Sequence, residues 1–297
     1  MDKVDIVLAS YNGEKYLAQQ LDSIIAQTYS NWRLLISDDG SSDKTLSIIE
    51  KYTKADERIF LVNKNRQGGV VKNFSKALEF ATAEYIMFSD QDDYWLPQKI
   101  FHLKEILDEK KKLFGNVPML IFTDLIIVDE NLKTLSESFF TKTKLNPLNN
   151  FDARFLLWRS TVYGCSIMFN KSLFDVASPL PHYVNMHDQW YALMANLKGY
   201  IFFSQKSHVL YRQHDKNVIG AKEKKLLARL RGLFHSINRI KKSAYSTKEI
   251  AVQIFGEQEK SFLARIRFVR KNVIPYFYFA KIYALFFIYF YISNREN

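Results

Sequence analysis

The sequence predicts an α/β fold, a mostly parallel Rossmann-like sheet flanked by helices, followed by a basic and aromatic helical appendage. Three observations carry this. Short apolar runs alternate with helical patterns through the first two thirds of the chain. Those runs are nearly continuous rather than alternating, as strands buried on both faces are. Beyond Gly220 the character changes: residues 1–220 hold 26 acids and 26 bases, whereas residues 221–297 hold sixteen bases against five acids.

Taken in order, residues 4–9 read as a strand, and 14–26 as a helix with Leu17, Leu21, Ile24 and Ile25 on one face. Residues 32–37 form a second strand, and 38–43 are turn chemistry with Ser41, Ser42 or Asp43 available to cap a helix over 44–55. A third strand (59–62), a helix (71–81) and a fourth strand (85–89) follow. A charged helix is expected over 99–112 and a buried strand over 119–124. The polar, Pro-containing stretch 139–150 reads as a surface loop. Strands are then expected at 165–169, 200–203 and 209–212, with a helix over 187–197. A domain boundary near Gly220 separates 1–220 from 221–297.

Of the 297 residues, 47% are hydrophobic and 25% charged, which excludes a disordered chain. The single cysteine, Cys165, cannot form an intrachain disulfide, so a reducing compartment is expected. No secretory leader precedes the first strand, which points to the cytosol. Neither a G-x-G-x-x-G after the first strand nor a G-x-x-x-x-G-K-[ST] occurs, so dinucleotide oxidoreductases and P-loop enzymes are disfavoured.

Open α/β sheets bind ligands beyond the carboxyl ends of their strands. Three strands end there in polar clusters: Ser10-Tyr11-Asn12-Gly13, Asp38-Asp39-Gly40-Ser41-Ser42-Asp43, and Asp90-Gln91-Asp92-Asp93. The second serves equally well as a solvated helix cap. In the third, three carboxylates within four positions repel one another unless a cation offsets them, and hard divalent ions take carboxylate oxygens while keeping positions open for phosphates.

These segments resemble family 2 glycosyltransferases of the GT-A fold. Residues 4–12 (VDIVLASYN), 34–43 (LLISDDGSSD) and 88–99 (FSDQDDYWLPQK) match the family's first strand and nucleotide loop, its second loop, and its D-x-D segment with a trailing W-x-P-x-K. Residues 186–190 (MHDQW) and 211–220 (YRQHDKNVIG) resemble a rhamnosyltransferase-like branch. The resemblance spans roughly residues 4–220.

It implies an inverting transfer of a sugar, rhamnose among the candidates, from a dTDP- or UDP-sugar to a lipid-linked saccharide in bacterial surface polysaccharide synthesis. Asp188 is then the general base, and Asp92 the metal ligand for Mn2+ or Mg2+, with Asp90 in support and His214 completing the metal or diphosphate site. Ala9, Ser10, Tyr11, Asn12, Asp39, Asn65, Lys72, Asp90 and Gln91 would hold the donor, with Asp39 on the base N3–H. Asp93, Trp95 and His187 would face the acceptor. Uracil and thymine share that base edge, so Asp39 does not separate UDP from dTDP. A nucleotidyltransferase and a silent membrane scaffold are the competing readings. The first would need a basic glycine-rich loop where residues 10–13 stand, and the second would not need both Asp92 and Asp188.

The tail is expected to meet a membrane. Lys222, Lys224, Lys225, Arg229 and Arg231 interleave with Leu226, Leu227, Leu230 and Leu233 at helical spacing, and 273–292 is apolar and aromatic around Pro275 and Lys281. Lying in the interface is favoured over spanning. A helical hairpin packed on the catalytic domain or in a dimer interface is the alternative, so a homodimer stays open. Lacking a nucleic-acid-binding motif, the chain is not expected to bind nucleic acid. The resulting location is the cytoplasmic face of the plasma membrane.

Overall fold

The structure, a computed structural model, describes residues 2–213, 226–279 and 281–293. His214 and the proposed boundary at Gly220 lie outside them.

Two buried strands show why the sheet forms where it does. β1 (Val4–Ser10) and β2 (Trp32–Asp38) pair in parallel, and every residue of β1 is buried. The one charge inside β1, Asp5, is tolerated because Arg33 grips it with two hydrogen bonds of 2.9 and 2.8 Å and the Thr82 and Ala83 amides donate to it. β3 (Ile59–Asn63) extends this side of the sheet and β4 (Tyr85–Asp90) the other. Between them run α1 (Leu17–Ile25), α2 (Thr45–Ala55) and α3 (Val70–Leu78), as their apolar spacing requires.

After β4 come β5 (Tyr94–Trp95), α4 (Lys99–Phe114), β6 (Met119–Thr123), β7 (Ile126–Val128), β8 (Thr134–Ser136), α5 (Phe139–Thr143), α6 (Ala153–Leu156), β9 (Ile167–Asn170), α7 (Lys171–Ala177), α8 (His187–Lys198), β10 (Tyr200–Ser204) and β11 (Val209–Arg212). Seven strands form the main sheet in the order β10-β6-β9-β4-β1-β2-β3, parallel except for β9. A second sheet, β5-β11-β7-β8, stands beside it. The architecture expected from the sequence is present: a mostly parallel sheet between helices.

The surface loop expected over 139–150 is corrected. It contains α5 and a 3-10 turn at Pro147–Phe151, because Phe139 and Phe140 are buried anchors and Ser138 caps the helix, its Oγ accepting from the Thr141 amide at 3.0 Å. Polar composition hid two aromatic pegs.

The tail consists of α9 (Leu226–Phe255), α10 (Phe262–Phe268), a π turn and a 3-10 turn through Phe279, and α11 (Lys281–Ile292). Its inner face shares one apolar cluster with the α/β part. The rings of Phe287 and Trp158 meet tilted, 5.4 Å between centres, Tyr276 donates to Asp152, and Thr247 donates to the Leu157 carbonyl at 3.0 Å. Among the described residues no helix is long and apolar enough to cross a membrane.

Candidate active site

The register of the central strands assembles the site. Ser10 lies opposite Asp38, and Ala9 opposite Asp90, so the three polar clusters end at one edge. They are wired together differently from one another.

Asp38 is structural: it accepts from the Ser10 hydroxyl at 2.8 Å and from the Ser41 amide and hydroxyl at 2.7 and 2.6 Å. Asn12, at φ 48°, donates its amide to Ser41 Oγ and receives the Ser42 amide, locking the first loop to the second. Asp43 accepts from the Thr45 and Glu14 amides, and those bonds hold its carboxyl below the usual range despite partial burial. Cap and loop chemistry therefore account for both ends of 38–43.

Asp39 stands apart from them. Its carboxylate accepts the backbone amides of Gln67, Gly68 (2.8 Å) and Gly69 (2.9 Å). A carboxylate offers about four acceptor positions, so one remains for a ligand N–H. Gly68 and Gly69 sit at φ 85° and 135°, conformations that disfavour a side chain, and open space lies beside both. Tyr11 is half exposed, and Lys72 stands in the first turn of α3. Asn65 is exposed, its carbonyl tied to the Asn63 and Gln67 side chains. The Ser10 carbonyl accepts from the Asp39 amide at 2.9 Å. Gln91 clamps the first cluster to the third: it accepts from the Tyr11 amide at 2.8 Å and donates to its carbonyl at 3.1 Å. A Cβ at Gly13 would fall 2.4 Å from Gln91 Oε1, so this clamp needs the glycine.

The acidic cluster divides by depth. Asp90 and Asp92 are partly exposed, whereas Asp93 is buried, with Oδ1 facing the Arg212 amide at 3.3 Å and Oδ2 without a hydrogen-bond partner. Burial raises Asp90 well above the ordinary carboxylate range, and Asp93, Asp92 and Asp188 raise it further. Burial and Asp92 likewise raise Asp93. Below them lies Lys99, fully buried, its Nζ 3.4 Å from the Trp95 ring centre and bonded to the Cys165 carbonyl at 2.5 Å. Desolvation lowers its pKa to about 7 against the pull of Cys165, Asp93 and Asp90. Ligand atoms of Asp90, Asp93 and Cys165 lie within 4.8 Å of one another. The carboxylates of Asp90 and Asp93 are the oxygen ligands that Mg2+ or Mn2+ takes, whereas the Cys165 thiol, pushed up by burial, is not, and Asp92, the ligand expected from the sequence, is not part of this set.

Asp188 enters from α8. Its Oδ2 accepts the Gly164 amide at 3.0 Å and Oδ1 the Gln189 amide at 2.7 Å. Burial outweighs these bonds and lifts its carboxyl to about 6. His187 beside it stacks on Phe74 at 4.1 Å, with neither ring nitrogen hydrogen-bonded, and burial depresses it to about 3. A Cβ on Gly164 would sit 2.9 Å from His187 Nε2, so this wall is packed tight.

The structure brings Asp92, Asp93 and Asp188 within electrostatic reach of Asp90, while Asp39 follows the end of β2 at the same sheet edge. Three expected acceptor contacts are repositioned: Trp95, Asp93 and His187 are 0%, 1% and 4% exposed, so they lie beneath the surface that an acceptor would meet. Two supporting residues were missed. Arg212, fully buried, donates to the Asp92 carbonyl (2.8 Å), the Glu130 carbonyl and Gln19 Oε1 (2.8 Å) and covers the Tyr16 ring at 4.5 Å. Its signal was the arginine of the Y-R-Q-H segment. Asn73, which accepts from Ser37 Oγ at 2.5 Å and donates to the Ser10 carbonyl at 3.1 Å, had no signal beyond being polar on an apolar helix face.

The model of the family described as glycosyl transferase family 2 matches residues 5–174. The chain is 30% identical to the dTDP-rhamnosyl transferase RfbG of Shigella flexneri over 227 residues, which is 72% of this chain and 74% of that protein. It is 34% identical over 127 residues (43% of this chain, 50% of the relative) to WfaP of Escherichia coli, named a UDP-Glc:alpha-D-GlcNAc-diphosphoundecaprenol beta-1,3-glucosyltransferase. Two solved structures share the fold. Staphylococcus aureus TarS 1-349 with UDP-GlcNAc has a TM-score of 0.59 at 17% identity, covering 98% of this chain and 89% of that one. The mannosyltransferase PcManGT of Pyrobaculum calidifontis, with GDP-Man and Mn2+, has a TM-score of 0.57 at 13% identity, covering 99% and 88%.

Proposed function

The chain belongs to glycosyl transferase family 2, a sugar-transferring enzyme with the GT-A fold, and from that premise we propose an inverting transferase that moves a hexosyl or rhamnosyl unit from a UDP- or dTDP-sugar to a lipid-linked saccharide. The observation that carries the reading is Asp188, a carboxylate buried under the Gly164 and Gln189 amides, lifted to about 6 and near enough to Asp90 to raise it. A base of that strength is ionised at neutral pH yet still takes a proton.

In this reading the nucleotide lies over Ala9 and Ser10 with Tyr11 at its flank, and its N3–H meets the remaining acceptor position of Asp39. Asn65 and Lys72 approach the base and phosphates. Asp92 and Asp90 would hold Mn2+ or Mg2+, and His214 would join them. The ion would neutralise the charge gathering on the departing diphosphate. The acceptor oxygen forms its bond to the anomeric carbon as the bond to the diphosphate breaks, and Asp188 receives the hydroxyl proton. Asp93, Trp95 and His187 act from below: Asp93 and Trp95 with Lys99 support the acidic loop, and His187 fills the wall behind Asp188. The name of WfaP supports an acceptor carried on a lipid diphosphate, and that of RfbG a dTDP-rhamnose donor; in this reading the acceptor belongs to surface polysaccharide synthesis and the chain would meet it peripherally, at the cytoplasmic membrane face. The boundary near Gly220 would separate catalytic and helical regions.

The test is a panel of UDP-, dTDP- and GDP-sugars with Mn2+, read by thermal shift and slow donor hydrolysis. A uracil or thymine donor at a hundredfold over its Kd should stabilise the fold by about 2.7 kcal/mol. Absence of stabilisation by every donor overturns the proposal.

A further inference from the structure

The C-terminal hairpin has two faces, and only one is explained by the fold. Its inner stripe, including Phe268, Val273, Ala284, Phe287 and Tyr291, is buried in the cluster shared with the catalytic part. The two arms run side by side, with Phe268 and Tyr291 stacked at 4.5 Å and Arg265 donating to the Ile292 carbonyl at 3.5 Å. Since both arms bury one stripe in the same core, their opposite stripes face away from it together.

Those outer stripes are apolar. Leu263 and Ile282 are each 73% exposed, Phe262 61%, Leu285 58% and Tyr289 56%. Positions 282, 285 and 289 repeat at the spacing of one helical face. Single exposed apolar residues are ordinary, but an exposed apolar stripe on each of two packed arms marks an interaction surface. Interleaved with them are Arg267, Arg270 and Lys271, all exposed. Between residues 261 and 293 there are five basic residues and no acidic one.

We propose that this outer face docks the enzyme on an anionic lipid bilayer, with the aliphatic and aromatic side chains entering the interface while the cations meet headgroup phosphates. This deepens, and rests on, the lipid-linked acceptor reading by naming the surface that brings the site to the membrane. The pattern of bulky apolar residues framed by Lys and Arg is that of interfacial helices. A second copy of the chain fits poorly, because a two-fold contact would set these cations against their own counterparts with no acid to pair them. Leu263, Ile266, Ile282 and Leu285 offer a nucleic acid nothing to read.

The experiment uses the full chain and vesicles of phosphatidylcholine alone or with one third phosphatidylglycerol, scored by co-sedimentation at low and high salt. The wild type should bind the anionic vesicles roughly tenfold or more tightly than the neutral ones and lose most of that advantage in high salt. The Leu263→Glu/Ile282→Glu/Leu285→Glu variant should lose binding to both. Phe101→Glu/Leu113→Glu, which removes comparably exposed apolar residues from α4, should bind like the wild type. Arg267→Gln/Arg270→Gln/Lys271→Gln should lose the preference for anionic lipid. Wild-type levels of binding by the apolar variant overturn the proposal, as does equal wild-type affinity for both vesicles. So does a dimer that the apolar variant dissolves while vesicle binding stays unchanged. Each variant is also tested for donor stabilisation. Loss of docking with donor stabilisation intact counts against the surface alone, whereas no stabilisation of any chain counts against the transferase reading.

Discussion

Replacing Arg212 with Met tests how the acidic loop is held. The guanidinium spans three chain segments, donating to the carbonyls of Asp92 and Glu130 and to the side chain of Gln19. Hydrogen bonds from a charged donor are worth about 1.5–3 kcal/mol each, and unpartnered buried acceptors cost about 1–3 kcal/mol each. Against this stands the desolvation of the cation itself, which is the leading reason that the pKa of Arg212 is lowered. Methionine also loses the guanidinium over the Tyr16 ring. The balance is a loss of about 3–4 kcal/mol, or roughly 10 °C in Tm for a chain of this size. Arg212→Lys should recover little, because one ammonium cannot reach acceptors that lie in three directions. The specific consequence is at Asp92: with its carbonyl released, the Mn2+ concentration needed for donor stabilisation should rise about tenfold. The assay is a thermal shift titrated with Mn2+ at fixed UDP- or dTDP-sugar. A variant that loses stability but keeps the wild-type Mn2+ dependence would show that Arg212 braces the fold without positioning the loop. An unchanged Tm would refute the hydrogen-bond reasoning itself.

Three further outcomes are expected. Asp188→Asn should lower transfer by about 10²–10⁴ while leaving donor stabilisation intact. In the wild type, activity should fall as pH drops through about 6, because protonation removes the base. The stability linkage has the opposite sense. The folded carboxyl is raised above its ordinary value, so its contribution is fully present below about 4 and is lost as pH rises through about 6. That change should be missing from the stability profile of Asp188→Asn. Asp39→Ala removes the acceptor of three amides in the 67–69 loop, and donor affinity should weaken about tenfold or more in a binding titration. Trp158→Ala empties a site between the α/β core and the hairpin, where Phe287 and Tyr283 lie 5.4 and 5.9 Å away. It should cost about 3–5 kcal/mol by denaturant unfolding, with donor binding surviving under native conditions.

The strands of the central sheet were legible because each is a short apolar run closed by polar residues, and burial on both faces leaves little else for such a run to become. The segment 139–150 was misread because two aromatic residues among polar neighbours carry no periodic signal, and it takes contact with Tyr163, Tyr211, Phe122 and Phe203 to make anchors of them. In the tail, 273–292 looked like one interfacial stretch. In fact Val273, Ala284, Phe287 and Tyr291 are buried in the protein core while Ile274, Ile282, Leu285 and Tyr289 are exposed, a division set by what the hairpin packs against.

By itself, the sequence determined the alternation of strand and helix, the three polar clusters at strand ends, and the identity of Asp39, Asp90, Asp92 and Asp188 as the residues worth watching. The alternation and the clusters are local properties, fixed by period, composition and turn chemistry, whereas Asp39 and Asp188 were picked out by the resemblance of their segments to the family. Only the tertiary structure decided which carboxylates remain available: Asp38 is consumed by Ser10 and Ser41, Asp93 is sunk over Lys99, and Asp188 is desolvated behind Gly164. Burial and hydrogen-bond partners are contributed by segments distant in the chain, and those contributions set the acidity and reach of each group.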